Sequence, residues 1–433
     1  MGQASQSRTL TPTPTSTKSK HKMGATDHVV AVERVLARRG IGILPVTSRY
    51  TTTRLLEHDY MFHGQTVGSG MSGPVRLGTG KDDGQKYAVK SFRKKGLSSR
   101  KRAELKSEAE IYLSLDHPHV ARLEKIYETE EELHLVMEYM AGGELYKRLS
   151  SRKRYSEEAA AGTIRQVLLA VAYLHAHQVV HRDLKLENFL YEHEESDHLK
   201  LIDFGFAKFW DRGAAMSQAC GSLHYVAPEV LEHSYTDKAD IWSAGVIAYM
   251  LLTGAPPFFG ADEEVLVKIK SGMPHWSTRF HALSEPAKNF VQGMLVKDVS
   301  QRFSAAAALL HPFVLNGRKM TGEERVLDPE ILKSLRRFAH ASAFRRAVLS
   351  MMAWSLSNED RRHLSEQFLL MDKNNRGTIT HQELRTVLEE NFHVDSAEAQ
   401  ALFSSLDTDN DDEIEYSEFL AAALIGRVQV HED

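Results

Sequence analysis

The stretch His181-Arg182-Asp183-Leu184-Lys185-Leu186-Glu187-Asn188 decides the reading of this chain. Periodicity before it predicts an amphipathic helix over Ala159–His175 and a short strand at Val179-Val180. A carboxylate, an ammonium and an amide packed this closely make poor core material, at about 2–7 kcal/mol for each polar group buried unpaired. Such groups need a partner from outside, and phosphoryl transfer supplies one. Asp183 suits accepting a proton from a substrate hydroxyl, Lys185 suits neutralising the moving phosphoryl group, and Asn188 suits holding a magnesium ion. Taken alone, the octapeptide reads equally well as a solvated polar turn.

Upstream, Val67-Gly68-Ser69-Gly70-Met71-Ser72-Gly73-Pro74-Val75 reads as strand, glycine hairpin, strand, whose backbone amides can approach phosphates closely. A lone glycine motif also fits dinucleotide folds. Here Val75 and Leu77 continue as strand, and the next strand ends Tyr87-Ala88-Val89-Lys90. A lysine on an apolar strand is either an edge charge or one half of a pair. Glu108 and Glu110 lie on the helix that follows, and spacing from the Asp116-His117-Pro118 turn favours Glu108. That pair would hold Lys90 against the α- and β-phosphates of a nucleotide. Leu133–Met137 is a further strand, after which main-chain groups of Glu138 and Met140 suit an adenine edge.

In order, GSGMSGPV, AVK, Glu108, HRDLKLEN, Asp203-Phe204-Gly205 and Ala227-Pro228-Glu229 make residues 60–314 resemble a eukaryotic protein kinase. The resemblance implies a bilobal α+β fold and phosphorylation of protein Ser or Thr by ATP and Mg2+. It implies an ATP site built from Val67, Gly68, Gly70, Gly73, Val75, Ala88, Lys90, Glu108, Glu138 and Met140. It makes Asp183 the catalytic base, with Lys185 beside it, and Asn188 and Asp203 the magnesium ligands. Phe204 should pack beneath the helix bearing Glu108, while Glu229, Arg302 and Asp240 match residues that support the fold. Glu144 and Glu187 stand where similar kinases read arginine upstream of the phosphorylated residue, so a basic consensus is expected. Three positions depart from the pattern. Gln218 stands where many kinases carry a phosphorylated threonine, leaving Arg182 without a phosphate partner; Ser72 replaces an aromatic and Leu186 a proline. Ser217 could take the phosphate instead, but the simpler reading is that loop phosphorylation is not the switch.

Two twelve-residue acidic loops lie downstream. The second, Asp407–Glu418, places Asp407, Asp409 and Asp411 at positions 1, 3 and 5, the Glu413 carbonyl at 7 and Glu418 at 12, an oxygen cage that suits calcium. The first, Asp372–Glu383, keeps Asp372, Asn374, Thr378 and Glu383 as candidate ligands but puts Arg376 where an oxygen belongs. It is expected to serve structure before calcium. Ile379 and Ile414 should pair between the loops, with Leu364, Phe368, Leu384, Leu388, Phe403, Phe419 and Leu424 in the core. The whole arrangement resembles a calcium-dependent protein kinase of plants and apicomplexan parasites. That family usually carries four EF-hands, whereas two are present here.

The remaining segments are read from composition and period. In 433 residues of ordinary apolar content, about three structural units are expected. The expected boundaries are a disordered basic extension over 1–59, the kinase domain over 60–314, an autoinhibitory junction helix over 315–356 and an EF-hand pair over 357–433. Net charge of −4 gives no reason to expect nucleic acid as a partner, and the single cysteine, Cys220, fits a reducing cytoplasmic compartment. Gly2 invites N-myristoylation, although Gln6 stands where that motif wants Ser or Thr; with Lys18, Lys20 and Lys22 it would give only reversible membrane association. Otherwise the chain is expected to be a cytoplasmic monomer.

In the junction, Asp328-Pro329 should start a helix, with Ile331, Leu335 and Phe338 on one face, then Phe344, Val348 and Met351. Leu335–Ala339 looks like a basic substrate with alanine replacing serine, so Arg336 and Arg337 are expected to engage Glu144 or Glu187 and block the peptide groove. Two alternatives stay open: a constitutive basophilic kinase braced by degenerate EF-hands, and a calcium-sensing scaffold with a dead kinase fold. Intact Lys90, Asp183, Asn188 and Asp203 argue against the second.

Overall fold

The computed structural model describes residues 48–426 apart from 71–72, 213, 321–326, 355 and 357, together with 30, 32, 33 and 35. The acylation reading at Gly2 and the basic tail lie outside the described residues. β-Branched and aromatic runs broken by glycine give the small lobe six strands: β1 (Tyr50–Thr51), β2 (Tyr60–Gly70), β3 (Gly73–Gly80), β4 (Lys86–Arg93), β5 (Leu123–Glu128) and β6 (Glu132–Glu138). They form one sheet in the order β1-β5-β6-β4-β3-β2, antiparallel except where β1 joins β5. The register sets Lys90 between Val75 on one side and Leu135 on the other. Helix α1 (Ser99–Leu113) crosses this sheet; the Ser98 hydroxyl accepts the Lys101 N–H at 3.3 Å and so starts it.

The large lobe is organised around α2 (Glu157–Ala176) and α3 (Lys238–Thr253), the latter buried along nearly its whole length. Four short strands sit on top: β7 (Val179–Val180), β8 (Phe189–Tyr191), β9 (Leu199–Leu201) and β10 (Lys208–Phe209). β7 pairs with β10 and β8 with β9, which brings the 181–188 segment beside the 203–205 segment. The helix expected over Ala159–His175 and the strands at 179–180 and 133–137 are present with bounds within two residues.

The C-terminal region is helical: α4 (Pro329–Ala339), α5 (Ala343–Trp354), α6 (Asn358–Met371), α7 (His381–Phe392), α8 (Ser396–Leu406) and α9 (Tyr416–Leu424). Between loops, β11 (Ile379–Thr380) pairs with β12 (Glu413–Ile414), Ile379 opposite Ile414 as the spacing required. Asp328 caps α4 by accepting the Glu330 N–H at 2.9 Å, and Pro329 fills its first turn. Ile331, Leu335 and Phe338 are buried with Leu364, Phe368, Leu384, Leu388, Phe403, Phe419 and Leu424 in a core separate from that of the kinase lobes. Among the described residues no helix is long and apolar enough to cross a membrane.

Three expectations are corrected. The extension does not stay structureless to residue 59: β1 adds a parallel strand to the sheet edge and Leu56 is buried. On α5 the buried residues are Leu349 and Ala353, whereas Phe344 is 81% and Met351 49% exposed. The helix packs against α9, whose Ala421–Ala423 are buried, and its inner face lies one residue from the expected stripe. Third, Arg336 does not reach the peptide groove. It pairs with Glu398 at 2.5 Å, while Glu144 pairs with Lys147 at 2.8 Å and Glu187 lies 3.5 Å from the Tyr225 hydroxyl. Burial of Leu335 and Phe338 fixes α4 within the EF-hand pair, which leaves Arg336 on Glu398 and Arg337 exposed.

Candidate active site and ion-binding loops

Lys90 sits at the crossing of three elements. Its ammonium lies 2.6 Å from Glu108 on α1 and 2.8 Å from Asp203 after β9. Burial disfavours that charge, but the Glu108 and Asp203 carboxylates more than offset it and raise the Lys90 pKa. Burial likewise works against an ionised Asp203, and Lys90 overcomes it, so this carboxyl stays below its usual range. Phe204 is fully buried against Tyr112 of α1, ring centroids 4.9 Å apart. Glu110, the rejected alternative partner for Lys90, instead faces Lys106 at 3.6 Å.

Across the cleft, Asp183 accepts from the Lys185 ammonium at 2.6 Å and from the Ser222 hydroxyl at 2.9 Å. Asn188 donates to the Asp183 carbonyl at 2.8 Å. Arg182 and Asp203 both have positive φ, +68° and +62°, an uncommon conformation for side-chain-bearing residues. The strain at Arg182 is held by buried Asp240, which accepts the His181 and Arg182 N–H groups at 2.9 and 2.8 Å and the His175 ring at 2.9 Å. Arg182 itself donates to the Phe206 carbonyl at 2.6 Å and the Tyr235 hydroxyl at 3.2 Å; that hydroxyl donates to the Gln218 carbonyl at 2.7 Å. The loop is thus tied down by neutral acceptors at the place where a phosphate was expected to be missing.

Val67, Gly68, Gly70, Gly73 and Val75 lie on the β2–β3 hairpin above this cleft, and Ala88 lies on β4 opposite Met137 of β6. Met140 follows β6 and is buried. Glu138 has a second life that sequence reasoning missed. Its carboxylate accepts from Lys200 at 2.8 Å through both oxygens, from the Arg122 N–H at 2.6 Å and from Arg361 of α6 at 3.2 Å. The signal was there: Lys200 is a lysine between two buried leucines on β9, and such a cation needs a buried anion. Burial pushes the Glu138 carboxyl up, but Lys200, Arg361 and Arg122 together bring it down to about 2.

That depressed pKa carries a sign. The stabilisation is complete above the unfolded value near 4.5 and disappears as pH falls toward about 2, a swing of roughly 3 kcal/mol. The difference in unfolding free energy between parent and Glu138→Gln should therefore shrink between pH 5 and pH 2. A gap that stays constant over that window contradicts the assignment.

In the second acidic loop, carboxylate oxygens of Asp407, Asp409 and Glu418 all lie within 4.8 Å of one another. Backbone N–H groups of Asp411 and Asp412 bind Asp407 at 3.2 Å each, and Asp412 takes φ +66° where glycine is usual. The Asp411 side chain accepts the Glu413 N–H at 3.0 Å. Glu418 accepts the Thr408 N–H at 2.7 Å, and burial pushes its carboxyl up to about 8. Three convergent carboxyls of this kind have the donor chemistry of a hard-cation site. In the first loop Asp372 accepts the Arg376 and Gly377 N–H groups at 3.0 and 2.8 Å, Asn374 accepts the Arg376 N–H at 2.9 Å, and Glu383 accepts the Asn374 N–H at 2.7 Å. The Thr378 hydroxyl donates to Glu413 at 2.6 Å and ties the two loops together. The Arg376 side chain is exposed.

A protein kinase domain matches residues 62–314, and an EF-hand domain pair matches residues 361–424. Calcium-dependent protein kinase 21 of Arabidopsis thaliana is 38% identical over 368 residues, 83% of this chain and 68% of the relative. The chain belongs to the calcium-dependent protein kinase family. Calcium-dependent protein kinase 11 of Oryza sativa subsp. japonica is 36% identical over 403 residues, 91% of this chain and 69% of its own, and Arabidopsis calcium-dependent protein kinase 34 is 37% identical over 369 residues, 83% and 70%. In this kinase the EF-hand pair sits against both lobes. Ser417 N–H donates to Asp116 at 2.7 Å, Arg361 reaches Glu138, and Gly377 of the first loop lies on the stacked rings of Tyr173 and His117.

Proposed function

We propose that this chain is a calcium-regulated Ser/Thr kinase in which Lys90, Glu108, Asp183, Lys185, Asn188 and Asp203 carry out transfer of the ATP γ-phosphoryl group. The observation that carries the reading is Lys90 held between Glu108 and Asp203, together with Asp183 held by Lys185 and Ser222. Magnesium fits the side-chain oxygens of Asp203 and Asn188, and when bound it would neutralise charge between the phosphates. Lys90 would grip the α- and β-phosphates, while the amides at Gly68, Gly70 and Gly73 cover them and Val67, Val75 and Ala88 enclose the base. Main-chain groups at Glu138 and Met140 would read its edge. Asp183 would take the hydroxyl proton, oriented by Ser222 and Lys185.

Glu144 and Glu187 would receive arginines of the substrate. Charge-assisted hydrogen bonds of this type contribute about 1.5–3 kcal/mol, so Glu187→Gln should raise the KM for an arginine-containing peptide roughly ten- to hundredfold and leave the KM for ATP alone. Equal KM values for parent and variant with that peptide would remove basic recognition. The N-terminal residues would add at most reversible membrane contact.

Calcium would bind the second loop through Asp407, Asp409, Asp411, Glu418 and the Glu413 carbonyl. The first loop, with Arg376 at its fifth position, would act as a strut, its Asp372, Asn374 and Glu383 engaged with the loop's own backbone and its Thr378 with the second loop. Regulation requires only that the ion bind one arrangement of the chain better than another, typically by about 1–3 kcal/mol. The test is peptide phosphorylation across a calcium titration, with calorimetry on the same protein. One calcium per chain and a response lost in Asp407→Ala are expected. A response that survives this substitution, or a flat titration of the parent, overturns the reading in favour of constitutive activity.

A further inference from the structure

Arg49 precedes the kinase match, yet it is 4% exposed and sits at the junction of three parts of the molecule. Its carbonyl accepts the Ile126 N–H at 2.6 Å, which anchors it to the sheet edge beside β1. Its guanidinium donates to the carbonyl of Leu113, the last residue of α1, at 2.8 Å and contacts the Leu123 carbonyl at 3.4 Å. A cation that binds the terminal carbonyls of a helix both satisfies an orphan acceptor and complements the helix dipole. Arg49 is therefore the C-terminal cap of the helix that carries Glu108.

The outer face of that guanidinium is covered by the ring of Trp354, 4.0 Å from its centroid. Trp354 ends α5, the helix that joins the EF-hand pair to the rest of the chain. On the same ring rests Arg122, at 5.5 Å, whose other groups bind Glu124 at 2.6 Å and the Ala353 carbonyl at 3.3 Å. Two guanidinium groups flank one indole, one held by α1 and the other by the segment that leads into β5. Without the ring, two cations would share the site with water, and water would compete for the Leu113 carbonyl. With it, the arginine cap is shielded, and a cation over a desolvated indole is among the stronger contacts of its kind.

We propose that Arg49 and Trp354 are positioning residues for phosphoryl transfer: docking of the EF-hand pair sets Trp354 on Arg49, which fixes the end of α1 and so holds Glu108 on Lys90. This deepens the kinase reading above and rests on it. It gives the extension before the kinase domain a part in nucleotide binding that neither residue takes by touching nucleotide.

The experiment uses the full chain as Arg49→Ala, Trp354→Ala, Trp354→Phe and the double alanine variant. It measures kcat and KM for ATP, KM for an arginine-containing peptide, half-maximal calcium, and amide hydrogen exchange over residues 109–115. Each single alanine variant should lower kcat/KM for ATP by about tenfold, within the ~5–150-fold range usual for coupled sites. Peptide KM should stay put, Trp354→Phe should recover most of the loss because an aromatic face remains, and the double variant should be no worse than either single one. Exchange at 109–115 should quicken in both alanine variants. A parent enzyme indifferent to calcium would strike the calcium reading alone, and the latch would still be judged by the ATP and exchange data. Unchanged ATP kinetics and exchange in Trp354→Ala, or losses that multiply in the double variant, overturn it.

Discussion

Asp183→Asn should lower kcat for peptide phosphorylation by about 10²–10⁴-fold, the usual contribution of a positioned general base. The amide keeps the shape of the carboxylate, so the Ser222 contact at 2.9 Å can largely persist, and the Asn188 bond at 2.8 Å goes to the main-chain carbonyl, which the substitution leaves in place. What it loses is the capacity to take a proton and the charge that Lys185 answers at 2.6 Å. KM for ATP should move little, since Lys90, Glu108 and Asp203 form a separate set of contacts. Steady-state assays at saturating peptide, with folding checked by circular dichroism, decide the matter. A variant within threefold of the parent would remove Asp183 from the chemistry and return the dead-kinase scaffold to consideration.

Arg302→Met should produce the largest loss of stability. The Arg302 side chain is completely buried, and its guanidinium meets Glu229 at 2.5 and 3.0 Å, the Val296 carbonyl at 2.9 Å and the Lys238 carbonyl at 2.8 Å. Trp242 lies against it, 5.0 Å from ring centroid to carbon. Removing the cation leaves the Glu229 carboxylate and two carbonyls in the core without their donor. Breaking a buried pair from one side costs about 3–5 kcal/mol. At roughly 2–4 °C per kcal/mol, the kinase-domain melting midpoint should fall by about 6–20 °C in calorimetry. Glu229→Leu combined with Arg302→Met should recover a good part of this, because no charge is then stranded. If Arg302→Met melts within 2 °C of the parent, the pair is solvated and the account of this core fails.

Much of the fold was legible because kinase and EF-hand chemistry is written in short, local runs. The 181–188 segment, the Tyr87–Lys90 strand and the Asp407–Glu418 loop each state their own geometry. Glu108 could be chosen over Glu110 by counting back from a turn, and the pair is present at 2.6 Å. What stayed hidden depends on docking between units. Glu138 and Arg361 are 223 positions apart, and nothing in either neighbourhood names the other. Arg49 looked like part of a tail because its partners, Leu113, Leu123 and Trp354, are all remote. The stripe on α5 was misplaced for the same reason. Helical period gives several apolar faces when most residues are apolar, and the partner, here α9, selects among them.

The seat of Gly377 has a consequence for how this molecule can change over generations. At φ +82° a β-carbon there would stand 2.3 Å from a Tyr173 ring carbon and 2.8 Å from His117. This loop leans on the kinase surface at its sixth position, so a side chain there would have to displace Tyr173 and His117 whatever the loop does with an ion. Mutational tolerance at this position should therefore follow the contour of the kinase surface as well as the rules of calcium coordination.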